Sequence, residues 1–167
     1  MESLGIEEGM KLAEFGSGTG LFSLAAAQRV GRDGKVYAID VQKVTLDSLR
    51  SRARLEGIFN LEALWVDLER MGALEIADNS LDAVLVPNML FQSQKKDAIL
   101  REALRIAKPG GQVMVIDWYP DKAIYGNEMG WPVDQAAMRG IAEKSGLTWV
   151  RDVQTGSTYH YGLLFRK

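Results

Sequence analysis

Three glycines at alternate positions are the first residues whose spacing could serve chemistry. Gly16, Gly18 and Gly20 follow an apolar run, Met10 to Phe15, and precede a helix-forming stretch, Leu21 to Val30. Glycine has no Cβ atom, so it adopts positive φ angles and lets another molecule approach the main chain. Free N–H groups at a helix start can then point at a ligand. The pattern predicts a strand, a glycine turn and a helix that bind a ligand, although it also fits an ordinary tight turn.

Asp40 adds a carboxylate at the spacing of a nucleotide site. It ends a predicted second strand, Lys35 to Ile39, and lies 20 positions after Gly20. In nucleotide-binding βαβ units, an acid at about this distance reaches the ribose hydroxyls. The glycine spacing is one residue shorter than the dinucleotide fingerprint G-x-G-x-x-G. Together the two features favour a ligand that contains adenosine over a plain turn.

Two later strands also end in polar residues. The predicted strand Asn60 to Val66 precedes Asp67, and the apolar strand Leu81 to Val86 precedes Pro87 and Asn88. Open parallel sheets bind ligands at the carboxyl ends of their strands, which makes these residues candidates for a binding site. Asp67 would also suit the N-cap of a helix after it, and the Asn88 amide would suit the same role.

Composition excludes several other kinds of site. The chain has 167 residues, a formal net charge of −2, one His and no Cys. Disulfides and cysteine-based metal sites are excluded, and we expect no bound metal. The acidic balance argues against a strong general affinity for nucleic acid. Because no apolar run has the length of a membrane span and no signal peptide opens the chain, we expect a cytoplasmic protein with no membrane partner.

The remaining pattern alternates helices with strands. Helices are predicted at Val41 to Glu56, Lys95 to Lys108 and Val133 to Ser145, and strands at Gln112 to Asp117, Leu147 to Val153 and Thr158 to Phe165. The order predicts a parallel α/β sheet with an antiparallel final strand and helices on both faces. On the helix before Pro109, Lys95 and Lys96 are expected to face water. His160 is expected on a strand surface, without a catalytic role.

Two segments are possible contact surfaces for a substrate. The aromatic-rich stretch Tyr119 to Val133 either forms a wall or lid of a substrate site or packs over the sheet edge. Arg50, Arg52 and Arg54 are expected to be a solvated face, with a local patch for nucleic acid or protein as the alternative.

The segment Ala13 to Gly20 resembles motif I of the class I S-adenosylmethionine-dependent methyltransferases, including their small, type 11-like members. The resemblance runs from Gly9 to Lys167 and includes Asp40, Asp67, the Ser80 to Val86 strand, Pro109-Gly110-Gly111 and the terminal hairpin, in the family's order. It implies a Rossmann-like, mostly parallel sheet of seven strands with an antiparallel last strand. It also implies that residues 1–167 form one methyltransferase domain.

The same resemblance implies an enzyme that transfers a methyl group from S-adenosylmethionine to an acceptor and leaves S-adenosylhomocysteine. A small-molecule acceptor is favoured, nucleic acid and protein acceptors stay open, and the oligomeric state is not predicted. No catalytic acid, base or nucleophile is expected, because the sulfonium of the cofactor carries the chemistry. The implied cofactor-binding residues are Glu14, Phe15, Gly16, Ser17, Gly18, Gly20, Asp40, Val41, Asp67, Leu68, Pro87 and Asn88.

Individual roles also follow from the resemblance. The three glycines would admit the amino-acid end of the cofactor, and Glu14 would order the loop or bind the amino group through water. Asp40 would hold the ribose, Asp67 would lie near the adenine, and Asn88 would lie nearest the transferring methyl group. Two other functions remain open: a nicotinamide-dependent oxidoreductase that uses NAD, and a non-catalytic S-adenosylmethionine-binding module.

Overall fold

A seven-stranded sheet organises the computed structural model, which describes residues 5–70, 72–122 and 130–167. Two single turns of 3-10 helix, Leu90–Gln92 and Pro120–Lys122, follow strands. The main elements in chain order are β1 (Lys11–Phe15), α1 (Leu21–Val30), β2 (Lys35–Asp40), α2 (Lys43–Leu55), β3 (Leu61–Trp65), β4 (Leu81–Pro87), α3 (Lys96–Ile106), β5 (Ala107–Trp118), α4 (Gln135–Lys144), β6 (Thr148–Asp152) and β7 (His160–Arg166).

The strand order is β3-β2-β1-β4-β5-β7-β6; β7 runs antiparallel to both of its neighbours, β5 and β6, and the other described strand pairs are parallel. The predicted mostly parallel sheet is therefore confirmed. The chain builds outward from β1 to β3 and then returns to add β4 on the other side of β1. The order of the strands thus reverses between β1 and β4, which is where open α/β sheets form a crevice for ligands.

Helices cover both faces of the sheet, as the sequence predicts. One buried cluster joins Phe15 and Val84 to α3 and α4, and another joins Leu12 and Leu85 to α1 and α2. Successive strand residues point to opposite faces, so β1 and β4 each contribute to both clusters. Burial on both faces explains why these central strands read as apolar runs. In the described part of the chain, no helix is long and apolar enough to span a membrane.

Helix α3 ends two residues earlier than the sequence predicts. Ala107 already has extended backbone angles, φ −64° and ψ 141°, and pairs with Leu81 of β4. Pairing resumes only at Gln112 and Ala83, so the residues between form an irregularity in the strand. A residue before proline avoids the helical conformation, which excludes Lys108 from the helix. The strand pairing of Ala107 then ends the helix one residue sooner still.

Lys96 contradicts the expectation of a water-facing position. Its side chain lies in the first turn of α3 and the residue is only 6% exposed. Its Nζ atom donates a hydrogen bond to the Ser93 carbonyl oxygen at 2.5 Å. The helix periodicity alone cannot predict this position, because Ser93, the residue that Lys96 bonds, lies outside the helix.

Candidate functional site

A cavity of about 440 Å³ opens at the carboxyl ends of β1 to β4, the place that the strand order favours. Seven of the twelve predicted cofactor-binding residues line it: Gly16, Gly18, Asp40, Val41, Asp67, Leu68 and Asn88. The other five are buried and do not line it: Glu14, Phe15, Ser17, Gly20 and Pro87. The predicted residues thus form part of the cavity wall and part of the layer behind it.

Six residues that line the cavity were not predicted as site residues from the sequence: Gln42, Val66, Glu69, Met89, Gln92 and Ser93. Four of them lie within two positions of a predicted residue, so a wider window around each strand end would have included them. Gln92 and Ser93 lie farther along the chain, and no local pattern marks them.

Two glycines of the loop have different physical roles. Gly18 has a φ of +52° and borders the cavity, and an added Cβ would meet no atom within 4 Å. Gly20 has a φ of +82° and packs so closely on Leu49 of α2 that a Cβ would collide with that side chain. Gly20 therefore brings the start of α1 against α2, whereas Gly18 leaves the loop surface open toward the cavity.

The backbone amides of the glycine loop mostly have partners within the protein. The N–H groups of Gly16 and Ser17 both donate to the Ile39 carbonyl oxygen, at 2.9 and 3.0 Å. The Gly20 amide donates to the Ser17 carbonyl oxygen at 2.8 Å, and the Gly18 amide donates to Asp40 Oδ2 at 2.7 Å. Four of the five amides in the loop thus donate to oxygen atoms of the protein. The loop lets a ligand approach its backbone, but it offers that ligand few free N–H donors.

Asp40 is held at the rim of the cavity by two backbone amides. Its Oδ2 atom accepts from Gly18, and its Oδ1 atom accepts from the Gln42 amide at 2.8 Å. A carboxylate has about four acceptor sites, so each oxygen retains capacity for a further donor. The side chain is half-buried and fixed, which suits it to accept hydroxyl groups of a ligand.

Glu14 lies beneath the glycine loop, almost fully buried. The residue is 3% exposed, and its carboxylate accepts hydrogen bonds from the Ser23 hydroxyl and backbone. Burial raises the pKa of Glu14 to about 7; the Ser23 hydrogen bonds oppose the rise and the Asp40 charge adds to it. The protonation of this carboxyl group therefore changes close to neutral pH.

Asp67 caps a turn rather than a helix. Its Oδ1 atom accepts from the Glu69 amide at 3.0 Å, and its carbonyl oxygen accepts from the Arg70 amide at 3.1 Å. No helix follows it among the described residues before β4. The side chain lies at the cavity wall while it stabilises this turn.

Asn88 lines the cavity and has one buried side-chain oxygen without a partner among the described residues. Its backbone has a φ of +51°, and its amide donates to the Ile116 carbonyl oxygen at 2.8 Å, which ties the end of β4 to β5. Its Oδ1 atom is buried and has no hydrogen-bond partner among the described residues. Buried polar atoms normally have partners, so a rotation of this side chain that let the oxygen accept from a ligand would be favourable.

The cavity wall carries charge of one sign. Asp40, Asp67 and Glu69 contribute carboxyl groups, and the described lining includes no Lys or Arg. Such a surface favours cations and disfavours polyphosphates. Within the described residues, no group of three or more His, Asp or Glu side chains could hold a metal ion.

The other candidate surfaces lie outside this cavity. Arg50 bonds Asp47 and the Ala63 carbonyl oxygen, and Arg52 pairs with Glu56, so both guanidinium groups have partners within the protein. His160 begins β7, with Nδ1 2.8 Å from the Ser157 hydroxyl and its ring 3.9 Å from that of Trp118. Burial lowers its pKa, and it does not line the cavity.

The predicted wall or lid, Tyr119 to Val133, is described only in part, because residues 123–129 lie outside the described residues. On one side of them the Tyr119 amide bonds the Tyr159 carbonyl oxygen at 3.0 Å. On the other side the Trp131 amide bonds the Phe91 carbonyl oxygen at 2.5 Å. Both ends of the segment are thus anchored at the carboxyl edge of the sheet.

Comparison with known proteins identifies relatives over most of the chain. A family model described as "Methyltransferase domain" matches residues 6–151. An arsenite methyltransferase from Aquipseudomonas alcaligenes is 29% identical over 161 residues, which cover 88% of this chain and 46% of that protein. A ubiquinone/menaquinone biosynthesis C-methyltransferase UbiE from Chromobacterium violaceum is 35% identical over 125 residues, 72% of this chain and 50% of that protein. The chain thus spans about half the length of these curated relatives.

A solved structure supports the same relationship. The crystal structure of a SAM-dependent methyltransferase from Aquifex aeolicus superposes with a TM-score of 0.87 at 26% sequence identity. The match covers 99% of this chain and 86% of that one. The seven-stranded sheet and the helices on both faces are therefore those of a methyltransferase fold.

Proposed function

The chain belongs to the class I S-adenosylmethionine-dependent methyltransferases, and we propose that it transfers a methyl group from S-adenosylmethionine to a small-molecule acceptor. The names of the two curated relatives support the class of acceptor, since one specifies arsenite and the other a step of quinone biosynthesis. The seven-stranded sheet that runs from β1 to β7 supports one methyltransferase domain over residues 1–167.

The acidic cavity at the carboxyl ends of the strands is the observation that carries this proposal. Its volume, about 440 Å³, is in the range of small-molecule sites. S-adenosylmethionine carries a permanent positive charge on its sulfonium, and the wall provides three carboxyl groups and, among the described residues, no basic side chain. The Oδ1 atom of Asn88 adds a buried acceptor that has no partner among the described residues.

The glycine loop supports this cofactor over NAD. A dinucleotide brings two negatively charged phosphates to the glycine turn, where free amides normally bind them. In this chain four of the five loop amides already donate to protein oxygens, and the Gly18 amide bonds the Asp40 carboxylate. A pyrophosphate placed against Gly18 would meet the Asp40 carboxylate, whereas a zwitterionic amino acid with a sulfonium would not be repelled.

We assign the roles by position along the cavity. Asp40 accepts the ribose hydroxyls, Asp67 and Leu68 lie beside the adenine, and the open surface of Gly18 admits the amino-acid end. Asn88 takes the place nearest the reacting methyl group, because it lines the cavity directly after β4. The bound cofactor supplies an activated methyl group. The chain needs only to hold the acceptor in line with it and to exclude water.

Titration calorimetry of the purified chain with S-adenosylmethionine, S-adenosylhomocysteine and NAD tests the proposal. We expect micromolar binding of the first two and none of NAD. Transfer of a labelled methyl group to arsenite and to quinone precursors then tests the class of acceptor. Binding of NAD alone would contradict the assigned cofactor, and cofactor binding without transfer to any acceptor would favour a non-catalytic module.

A further inference from the structure

Two loops that start far apart on the sheet meet at the cavity wall. Strands β3 and β4 are separated by β2 and β1, and three strand spacings amount to about 14 Å. Nevertheless the Ser93 hydroxyl, in the loop after β4, donates to Glu69 Oε1, in the segment after β3, at 2.6 Å. Both residues line the cavity, so this bond joins its two sides in front of the ends of β1 and β2.

The hydroxyl of Ser93 is directed at Glu69 by its other contacts. The residue is 2% exposed, and its Oγ atom accepts from the Lys95 amide at 2.9 Å. Its own amide donates to the Leu90 carbonyl oxygen at 3.0 Å. A serine hydroxyl has a single hydrogen to donate, and in this structure Glu69 receives it.

Lys96 holds the same loop from behind. Its ammonium group donates to the Ser93 carbonyl oxygen, and the negative charges of Asp117 and Glu69 both act on it. Asp117, at the end of β5, is 1% exposed and accepts from the Trp118 amide at 2.9 Å. The hydrogen bond to the Ser93 carbonyl oxygen therefore holds the loop, and the two carboxylates favour the charged form of the ammonium group that makes it.

We propose that Ser93 and Glu69 form a clasp that closes the adenine end of the cofactor cavity and selects for an adenine with an unsubstituted amino group. This inference rests on the proposed function, which puts the adenine beside Asp67. Glu69 follows Asp67 by two positions, and its amide bonds the Asp67 carboxylate. The clasp therefore sets the distance between Asp67 and the loop after β4, and with it the space around the edge of the adenine.

Calorimetric titration with S-adenosylhomocysteine and with its N6-methyl derivative tests the clasp. The proteins are the wild type, Ser93→Ala, Glu69→Ala and the double variant. We expect each single substitution to weaken S-adenosylhomocysteine binding about tenfold and to reduce the preference over the N6-methyl derivative by a similar factor. The double variant should bind no more weakly than either single variant, because one bond links the two residues.

Two further variants separate the clasp from a general structural effect. Ser145→Ala removes another buried hydroxyl, which bonds the Ile141 carbonyl oxygen at 2.9 Å near the end of α4, and should leave the preference unchanged. Glu69→Gln retains an oxygen acceptor for Ser93 and should recover most of the preference that Glu69→Ala loses. Glu69 is only partly buried, so its variants keep the test available if Ser93→Ala fails to fold.

Four results would overturn the clasp. Single variants with the wild-type preference would do so, as would additive losses in the double variant. A wild type that binds S-adenosylhomocysteine but tolerates the N6-methyl derivative equally well would also contradict the clasp, while leaving the proposed function intact. A wild type that binds neither ligand would contradict the proposed function, and the clasp with it.

Discussion

Asp40 is the side chain on which adenosine binding depends most directly. Asp40→Ala should weaken S-adenosylhomocysteine binding by about 1–3 kcal/mol, because the ribose would lose hydrogen bonds to a charged acceptor. The Gly18 and Gln42 amides would also lose their partner, so the loss should lie toward the upper part of that range. Titration calorimetry measures it. Asp33→Ala, in an exposed turn before β2, is the control and should bind normally; unchanged affinity in Asp40→Ala would remove Asp40 from the site.

Glu14 should make stability depend on pH near neutrality. Burial raises its pKa in the folded protein to about 7, from 4.5 when exposed. Between these values the unfolded chain loses the proton first, so rising pH lowers the free energy of unfolding until about pH 7. Glu14→Gln removes this dependence, and the amide oxygen can still accept from Ser23. The variant should therefore gain stability relative to the wild type as pH rises from 5 to 8, by roughly 2–3 kcal/mol.

Urea unfolding of both proteins at pH 5 and pH 8 measures this difference. Asp117 also titrates in this range, since burial raises its pKa to about 6, but it does so in both proteins and cancels in the comparison. An equal stability difference at both pH values would show that Glu14 is ionised in the folded protein throughout.

One arginine of α3 makes several contacts with the segment between β3 and β4. Arg105 donates to the Ile76 and Leu74 carbonyl oxygens at 2.8 and 3.0 Å, and pairs with Asp78 and Glu102. Arg105→Lys keeps the charge, but the lysine side chain cannot bond all these acceptors at once. Lysine has a single ammonium nitrogen, whereas the planar guanidinium group of arginine has three nitrogens that donate in different directions. The loss should be about 2 kcal/mol, or roughly 4–8 °C in Tm.

Arg101→Lys on the same helix is the matched control. Arg101 pairs only with Asp97 in the described contacts, and both side chains are more than half exposed. Exposed pairs four positions apart contribute little, so its Tm should stay within a degree or two of the wild type. Equal Tm values for the two variants, by differential scanning calorimetry, would contradict an anchoring role for Arg105.

Elements whose signal is local could be predicted from the sequence. The strand, glycine turn and helix from Lys11 to Val30 depend on adjacent residues, and the structure forms them where the pattern indicates. The end of α3 could not be predicted in this way, because it depends on the pairing of Ala107 with Leu81, which is distant in the sequence. Lys96 and Ser93 were missed for the same reason: their partners, Glu69 and Asp117, lie on other elements and follow no periodic pattern.

At the scale of the whole molecule, the described lining of the cavity comes from one half of the sheet. Its walls come from the segments after β1, β2, β3 and β4, whereas β6 and β7 contribute no lining residue. The hairpin of β6 and β7 joins the rest of the sheet through the pairing of β7 with β5. Cofactor binding should therefore act mainly on one half of the structure, and the hairpin provides a control within the same chain.

Hydrogen exchange read by mass spectrometry can test this division. At labelling times of seconds to minutes, S-adenosylhomocysteine should slow exchange in residues 16–20, 40–42, 66–69 and 88–93. Many amides of the glycine loop are already bonded within the protein, so they exchange only when the loop opens locally. Slower exchange with ligand would show that the loop opens less often. The hairpin should exchange as before at these times, since it does not touch the ligand. At much longer times all slow amides gain protection through global stabilisation, so equal early protection in the hairpin would contradict a site confined to β1 to β4.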